Sequence, residues 1–185
     1  GGNIANGSPI GDTPPPLIAL GATLTLRKGA ETRSLPLEDF FIDYGKQDRQ
    51  PGEFVESITV PLPREGAHYA VHKVTKRRDE DITAVLGAFH VELVDGKVSA
   101  ARIAYGGMAA TPKRARSVEA ALVGQTWNED TVAAAMDAVS RDFTPISDMR
   151  ASAEYRLLAA RNLIRRFYLE TSGESGVQVK RYEEA

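Results

Sequence analysis

Ala84-Val85-Leu86-Gly87-Ala88-Phe89-His90-Val91-Glu92-Leu93-Val94-Asp95-Gly96-Lys97-Val98-Ser99-Ala100-Ala101-Arg102-Ile103-Ala104-Tyr105 is the stretch that decides how this chain folds. Two apolar runs flank Asp95-Gly96. That dipeptide accepts the positive φ angles of a tight hairpin turn, so the runs read as two antiparallel strands, about Ala84 to Val94 and about Val98 to Tyr105. Gly106-Gly107 reads as the end of the sheet. Before the hairpin, Tyr69 to Thr75 reads as a further strand, and Phe54 to Val60 as another, stopped by Pro61 and Pro63.

After the hairpin the chain turns helical. Ser117 to Val123 is short. Asn128 caps a helix that carries Glu129 and Asp130 in its first turn, where they suit the positive end of the dipole, and that runs to about Asp142. Residues 152 to 171 form the longest helix. Leu157, Ala160, Ile164, Phe167 and Tyr168 give it one buried face, with Arg161, Arg165 and Arg166 on the rest. Toward the N-terminus, Ala22 to Leu26 alternates as a strand does, Arg27 to Glu31 is a polar turn, and Thr32 to Leu37 returns as its partner. Pro36 to Phe41 is a helical turn that puts Phe40 and Phe41 on the core. Residues 43 to 53 are polar and rich in breakers, as a surface loop or linker is. The pattern is α+β in two parts: a small α/β half-domain over residues 1–60, then an antiparallel sheet with helices over 66–172. A polar tail, 173–185, is expected to fray.

Composition narrows the function. The chain has 185 residues, 42% hydrophobic and 26% charged, with a formal net charge of -2. That balance gives no electrostatic footprint for nucleic acid or an acidic membrane. No apolar run approaches the roughly 20 residues of a membrane span, and no signal peptide is visible, so a cytoplasmic location is expected. There is no cysteine, which excludes a disulfide, a thiolate nucleophile or a cysteine-held Fe–S cluster from this piece. The chain starts without Met inside a glycine-rich loop, as a piece of a longer polypeptide would.

That loop, Gly1-Gly2-Asn3-Ile4-Ala5-Asn6-Gly7-Ser8-Pro9-Ile10-Gly11-Asp12, can bring bare backbone N–H groups close to a ligand. Asp12 precedes Thr13-Pro14-Pro15-Pro16 and Leu17-Ile18-Ala19-Leu20-Gly21. This reads as an N-cap, prolines in the first turn, a short helix and a glycine stop. Two readings stay open on residues alone: a nucleotide or flavin loop, or an ordinary Gly/Ser/Pro loop. The spacing matches neither a P-loop nor a GxGxxG fingerprint.

Lys73, Lys76, Arg77 and Arg78, then Asp79, Glu80 and Asp81, make a charged connection between two strands. It is either a solvated loop or a source of charge beside a redox ring. His68 and His72, four apart in a strand, share a face but sit about 13 Å apart, too far to hold one metal. These two and His90 read as structural. No catalytic residue and no metal site is indicated, so the chemistry should belong to a cofactor.

Four segments then fall in register. Gly1 to Asn6 with Ser8-Pro9-Ile10 and Asp12 resembles the flavin-binding segment of the molybdenum-containing hydroxylases. Phe54 to Ile58 before Pro61, then Lys73 with Arg77 to Asp81, then Tyr105-Gly106-Gly107-Met108, complete a resemblance to the FAD-binding region of the bacterial xanthine dehydrogenase small subunit, across essentially the whole chain. The resemblance implies the second part of an FAD-binding domain followed by a CO dehydrogenase flavoprotein C-terminal-like domain. It implies that Gly1, Gly2 and Asn3 set their backbone against FAD, and that Asn6 lies near the flavin. Asp12 would accept from a cofactor hydroxyl, Val55 would lie against the cofactor and Lys73 at its edge. It places a first flavin half-domain and 2Fe-2S domains upstream, the molybdenum cofactor in a large subunit, and NAD+ as acceptor in hypoxanthine or xanthine oxidation. A related CO or aromatic-CoA oxidoreductase, and a cofactor-free assembly domain, are the alternatives.

Overall fold

The Asp95-Gly96 turn forms with φ of 52° at Asp95 and 72° at Gly96, the paired positive values that a two-residue hairpin needs. The computed structural model describes residues 2–77, 79 and 81–173. Its elements are α1 (Gly2–Ala5), α2 (Pro14–Ala19), β1 (Thr23–Lys28), β2 (Glu31–Pro36), α3 (Leu37–Phe40), β3 (Phe41–Asp43), β4 (Lys46–Gln47) and β5 (Phe54–Thr59). These are followed by β6 (His68–Thr75), β7 (Thr83–Val94), β8 (Lys97–Gly106), β9 (Lys113–Arg114), α4 (Arg116–Leu122), α5 (Glu129–Asp142) and α6 (Ala153–Thr171). The architecture is α+β. Strands β6, β7, β8 and β9 form an antiparallel sheet in that order, and β2, β1 and β5 form a smaller one.

Period-two alternation distributes the two faces of β7. Val85, Phe89 and Val91 face a core built with Val118, Leu122, Val139, Leu163 and Phe167 from the three C-terminal helices. Phe89 stacks on Phe167 with ring centroids 5.1 Å apart. Leu86 and Ala88 face the other way, onto Ala19 of α2. One bulge keeps β8 in phase: the pairing passes from Glu92↔Ala100 to Leu93↔Val98, leaving Ser99 extra, so Val98 and Ala101 both reach the helix side. Asn128 caps α5 by accepting from Thr131 N, and Ser152 caps α6 through Tyr155 N.

The structure corrects several expectations. Residues 43–53 are not an open linker: β3 and β4 pair there, and Arg33 grips both Asp48 and Glu53. Gly106-Gly107 does not end the sheet: β9 pairs with β8 beyond it, and two residues carry no periodicity to show this in the sequence. Asp12 does not cap α2: the cap position is Thr13, which makes no side-chain cap bond. Helix α6 buries Arg156, Ala160, Leu163, Ile164 and Phe167, with Leu157 and Tyr168 only half-buried. Gly173 ends the described chain, so the expected tail otherwise lies outside it.

Candidate cofactor-binding site

The N-terminal segment folds as a tight turn rather than an open loop. Ile4 is buried in the small core, Asn6 N donates to Gly2 O at 3.0 Å, and Gly7 N to Ile4 O at 3.1 Å. Gly7 has φ of 63°, and a Cβ there would come within 2.8 Å of Gln47 Nε2. Gln47 itself donates to Asn6 O at 3.0 Å, so β4 holds the turn in place. Asn3 accepts from Thr13 N at 3.2 Å, which gives it a fixing role beside the entry to α2. The far side is held by Gly107, whose N–H donates to Pro9 O at 2.7 Å.

Asp12 ties this segment to the sheet. Its Oδ2 lies 2.7 Å from Lys73 Nζ, and its Oδ1 accepts from Thr83 Oγ1. Lys73 also approaches Asp81 at 3.4 Å. Burial pulls the Lys73 ammonium down, but the hydrogen bond and charge of Asp12, then those of Asp81, outweigh it and raise the pKa. The charged connection is anchored further on, where Lys76 Nζ donates to Met149 O at 2.9 Å. Arg78 and Glu80 lie outside the described residues, as does Gly1.

Asp12 and Lys73 are thus brought together across 61 positions of sequence, and Gly2, Asn3 and Asn6 present an exposed polar surface on the same segment. Val55 stands apart from that pair. It lies opposite Leu26 in the small sheet and packs half-buried on the N-terminal core. The residues fit FAD. Gly2 has open space where a Cβ would stand, and a carboxylate with about four acceptor sites can take a ligand hydroxyl while serving Lys73 and Thr83. A cavity of about 570 Å³ adjoins the segment, lined by Ser8, Pro9 and Ile10 together with Gly107, Arg150 and Arg156. Among the described residues no group of three or more His, Cys, Asp or Glu is arranged to hold a metal.

Sequence reasoning missed Thr83 and Arg156. Thr83 carries no motif, since its role exists only once β7 pairs with β6. Arg156 did leave a signal: it precedes Ala160, Leu163 and Phe167 by four, seven and eleven positions, and so belongs to their buried stripe.

The antiparallel sheet carries the three C-terminal helices on one face and α2, with the glycine-rich turn before it, on the other. Residues 70–171 match the CO dehydrogenase flavoprotein C-terminal domain, and residues 1–63 match the FAD binding domain in molybdopterin dehydrogenase. The chain belongs to this FAD-binding family of the molybdenum hydroxylases. It is 34% identical over 184 residues to a nicotinate hydroxylase of Emericella nidulans, covering 96% of this chain and 14% of that one. Identity to xanthine dehydrogenase 1 of Arabidopsis thaliana is also 34%, over 178 residues, with 93% and 13% covered. Among solved structures, reconstituted CO dehydrogenase from Oligotropha carboxidovorans superposes with a TM-score of 0.84 at 30% identity, covering 90% of this chain and 58% of the other. The chain therefore spans a small part of the two enzymes and just over half of that structural neighbour.

Proposed function

We propose that this chain is the FAD-holding electron-transfer part of a xanthine dehydrogenase-type molybdenum hydroxylase, taking electrons from Fe–S clusters and delivering them to NAD+. The observation that carries the reading is the Asp12–Lys73 junction, where the glycine-rich turn and the charged connection meet. FAD, when bound, supplies the step from one-electron carriers to hydride transfer. The protein's part is placement and charge. Gly2, Asn3 and Asn6 offer backbone and amide groups to the cofactor. Asp12 accepts from one of its hydroxyls, and Lys73, held protonated by Asp12 and Asp81, sets positive charge at its edge. Lys76 and Arg77 add to the attraction of an anionic dinucleotide. The cavity beside Ser8–Ile10 is the candidate approach for that acceptor. Carry-over of Gly1 and Val55 as cofactor contacts, the domain limits 1–60 and 66–172, and a cytoplasmic location belong to the same proposal. No helix among the described residues is long and apolar enough to cross a membrane.

The test is Lys73→Gln in the complete enzyme at saturating FAD. NAD+-linked turnover should fall about fivefold or more, because positive charge near the reduced flavin is lost. Turnover with an artificial acceptor that draws electrons ahead of the flavin should stay within about twofold. Equal loss in both assays contradicts the reading.

A further inference from the structure

We propose that Arg156 is a positioning residue for the flavin wall, acting from behind it through Thr83 and Gly107; the proposal rests on the FAD reading above. Arg156 is the largest fully buried side chain, 2% exposed. A guanidinium stays charged at any working pH, so it needs partners when it leaves water. It has three. Nη1 donates to Ala84 O and, at 2.9 Å, to Gly107 O, and Nη2 lies 2.6 Å from Asp148 Oδ1. Nε is buried without a protein partner.

Each anchor leads to a different segment of the wall. Ala84 is the extra residue of a bulge, where the pairing passes from Val74↔Val85 to Thr75↔Thr83. The bulge sets Thr83, 2% exposed, against Asp12. Gly107 holds Pro9 O by its N–H while its own carbonyl takes Arg156. Asp148 accepts from Arg150 N and Ala151 N. This fixes the turn whose Met149 carbonyl takes Lys76 of the charged connection. Two carbonyls meet Nη1 and a carboxylate meets Nη2, and the planar fork of the guanidinium serves all three at once. An apolar residue would fill the space, but would leave two buried carbonyls and a carboxylate facing each other.

The experiment uses the complete enzyme after reversible flavin removal, with Arg156→Lys, Thr83→Val, the double variant and Asp12→Ala. FAD dissociation constants, the flavin's visible circular dichroism and apoprotein melting temperatures are measured. Arg156→Lys should weaken FAD about tenfold and alter the dichroism, Thr83→Val should weaken it less, and the double should resemble Arg156→Lys alone because both act on one path. FAD affinity within about twofold of wild type in Arg156→Lys, or single effects that multiply in the double, overturns the proposal. Should Arg156→Lys not fold, Asp148→Asn loosens one anchor, and unchanged FAD affinity there overturns the proposal equally. If Asp12→Ala leaves FAD untouched, the FAD reading of this wall falls and takes the proposal with it. If Asp12→Ala weakens FAD and Arg156→Lys does not, only the positioning role is lost.

Discussion

Gly107 shows how much one position can carry. Its φ of 77° lies in the left-handed region, and a Cβ there would overlap Ala84 O. Its N–H and C=O are both committed, to Pro9 and to Arg156. Gly107→Ala should cost about 2–4 kcal/mol, from backbone strain plus overpacking against rigid backbone. A urea unfolding midpoint shifted by less than the equivalent of about 1 kcal/mol would contradict this. The Gly106-Gly107 pair ends β8 but not the sheet, which β9 continues, and the resemblance marked the pair as part of the family pattern. Its bond to Pro9 was not legible, because residues 98 positions apart in sequence show no mutual signal. Asp12 makes the same point from the other side. Local sequence offered it a helix to cap, yet Lys73 and Thr83 outbid that role once the sheet placed them beside it.

At the scale of elements, periodicity did most of the work. The hairpin of β7 and β8, the cap of α5 at Asn128 and the extent of α6 all follow from local pattern, since each is fixed by turn chemistry, a side-chain cap or a long stripe. Strands β3, β4 and β9 are too short to show a period, and only tertiary pairing defines them. Between α5 and α6, Asp148 is the hub of an irregular segment. Burial pushes its carboxyl up, but the N–H groups of Arg150 and Ala151 and the guanidinium of Arg156 prevail and hold it down at about 2. A carboxylate lowered by folding contributes stability above its unfolded pKa, near 3.9. That contribution is lost as pH falls from about 4 through about 2. Asp148→Asn should therefore be less stable than wild type at pH 6, and the gap should close across that window. A gap independent of pH would mean that the charge of Asp148 does not act.

For the molecule as a whole, a half-buried charge network crosses from the N-terminal unit to the sheet. Glu38 of α3 lies 2.9 Å from Arg102 and 3.1 Å from Arg114, and Arg114 reaches Glu119 at 2.6 Å. Arg102 also donates to Ile18 O of α2 at 2.8 Å. Burial pushes the Glu38 carboxyl up, yet the charge and hydrogen bond of Arg102, then those of Arg114, leave it below the ordinary carboxylate range. Glu38→Ala should cost about 2 kcal/mol, less than for a fully buried pair, because the network is half-buried and Arg114 keeps Glu119. Loss of less than about 1 kcal/mol in denaturant unfolding would show that this network does not hold the two units together. The sequence divided these units by composition, but it could not show that Glu38 and Arg102, 64 positions apart, hold them together.

On the proposed reading, the glycine-rich turn, closed onto Lys73 through Asp12, is a wall of the FAD site. FAD affinity of Asp12→Ala and Asp12→Asn in the complete enzyme, measured by flavin titration beside the melting temperature, tests it most directly. A carboxylate accepting from a cofactor hydroxyl is worth about 1.5–3 kcal/mol. Asp12→Ala should then weaken FAD roughly 10–100-fold, with Asp12→Asn in between, and by more than any change in melting temperature explains. A lower melting temperature with FAD affinity unchanged in both variants would make Asp12 a structural tie and contradict the account.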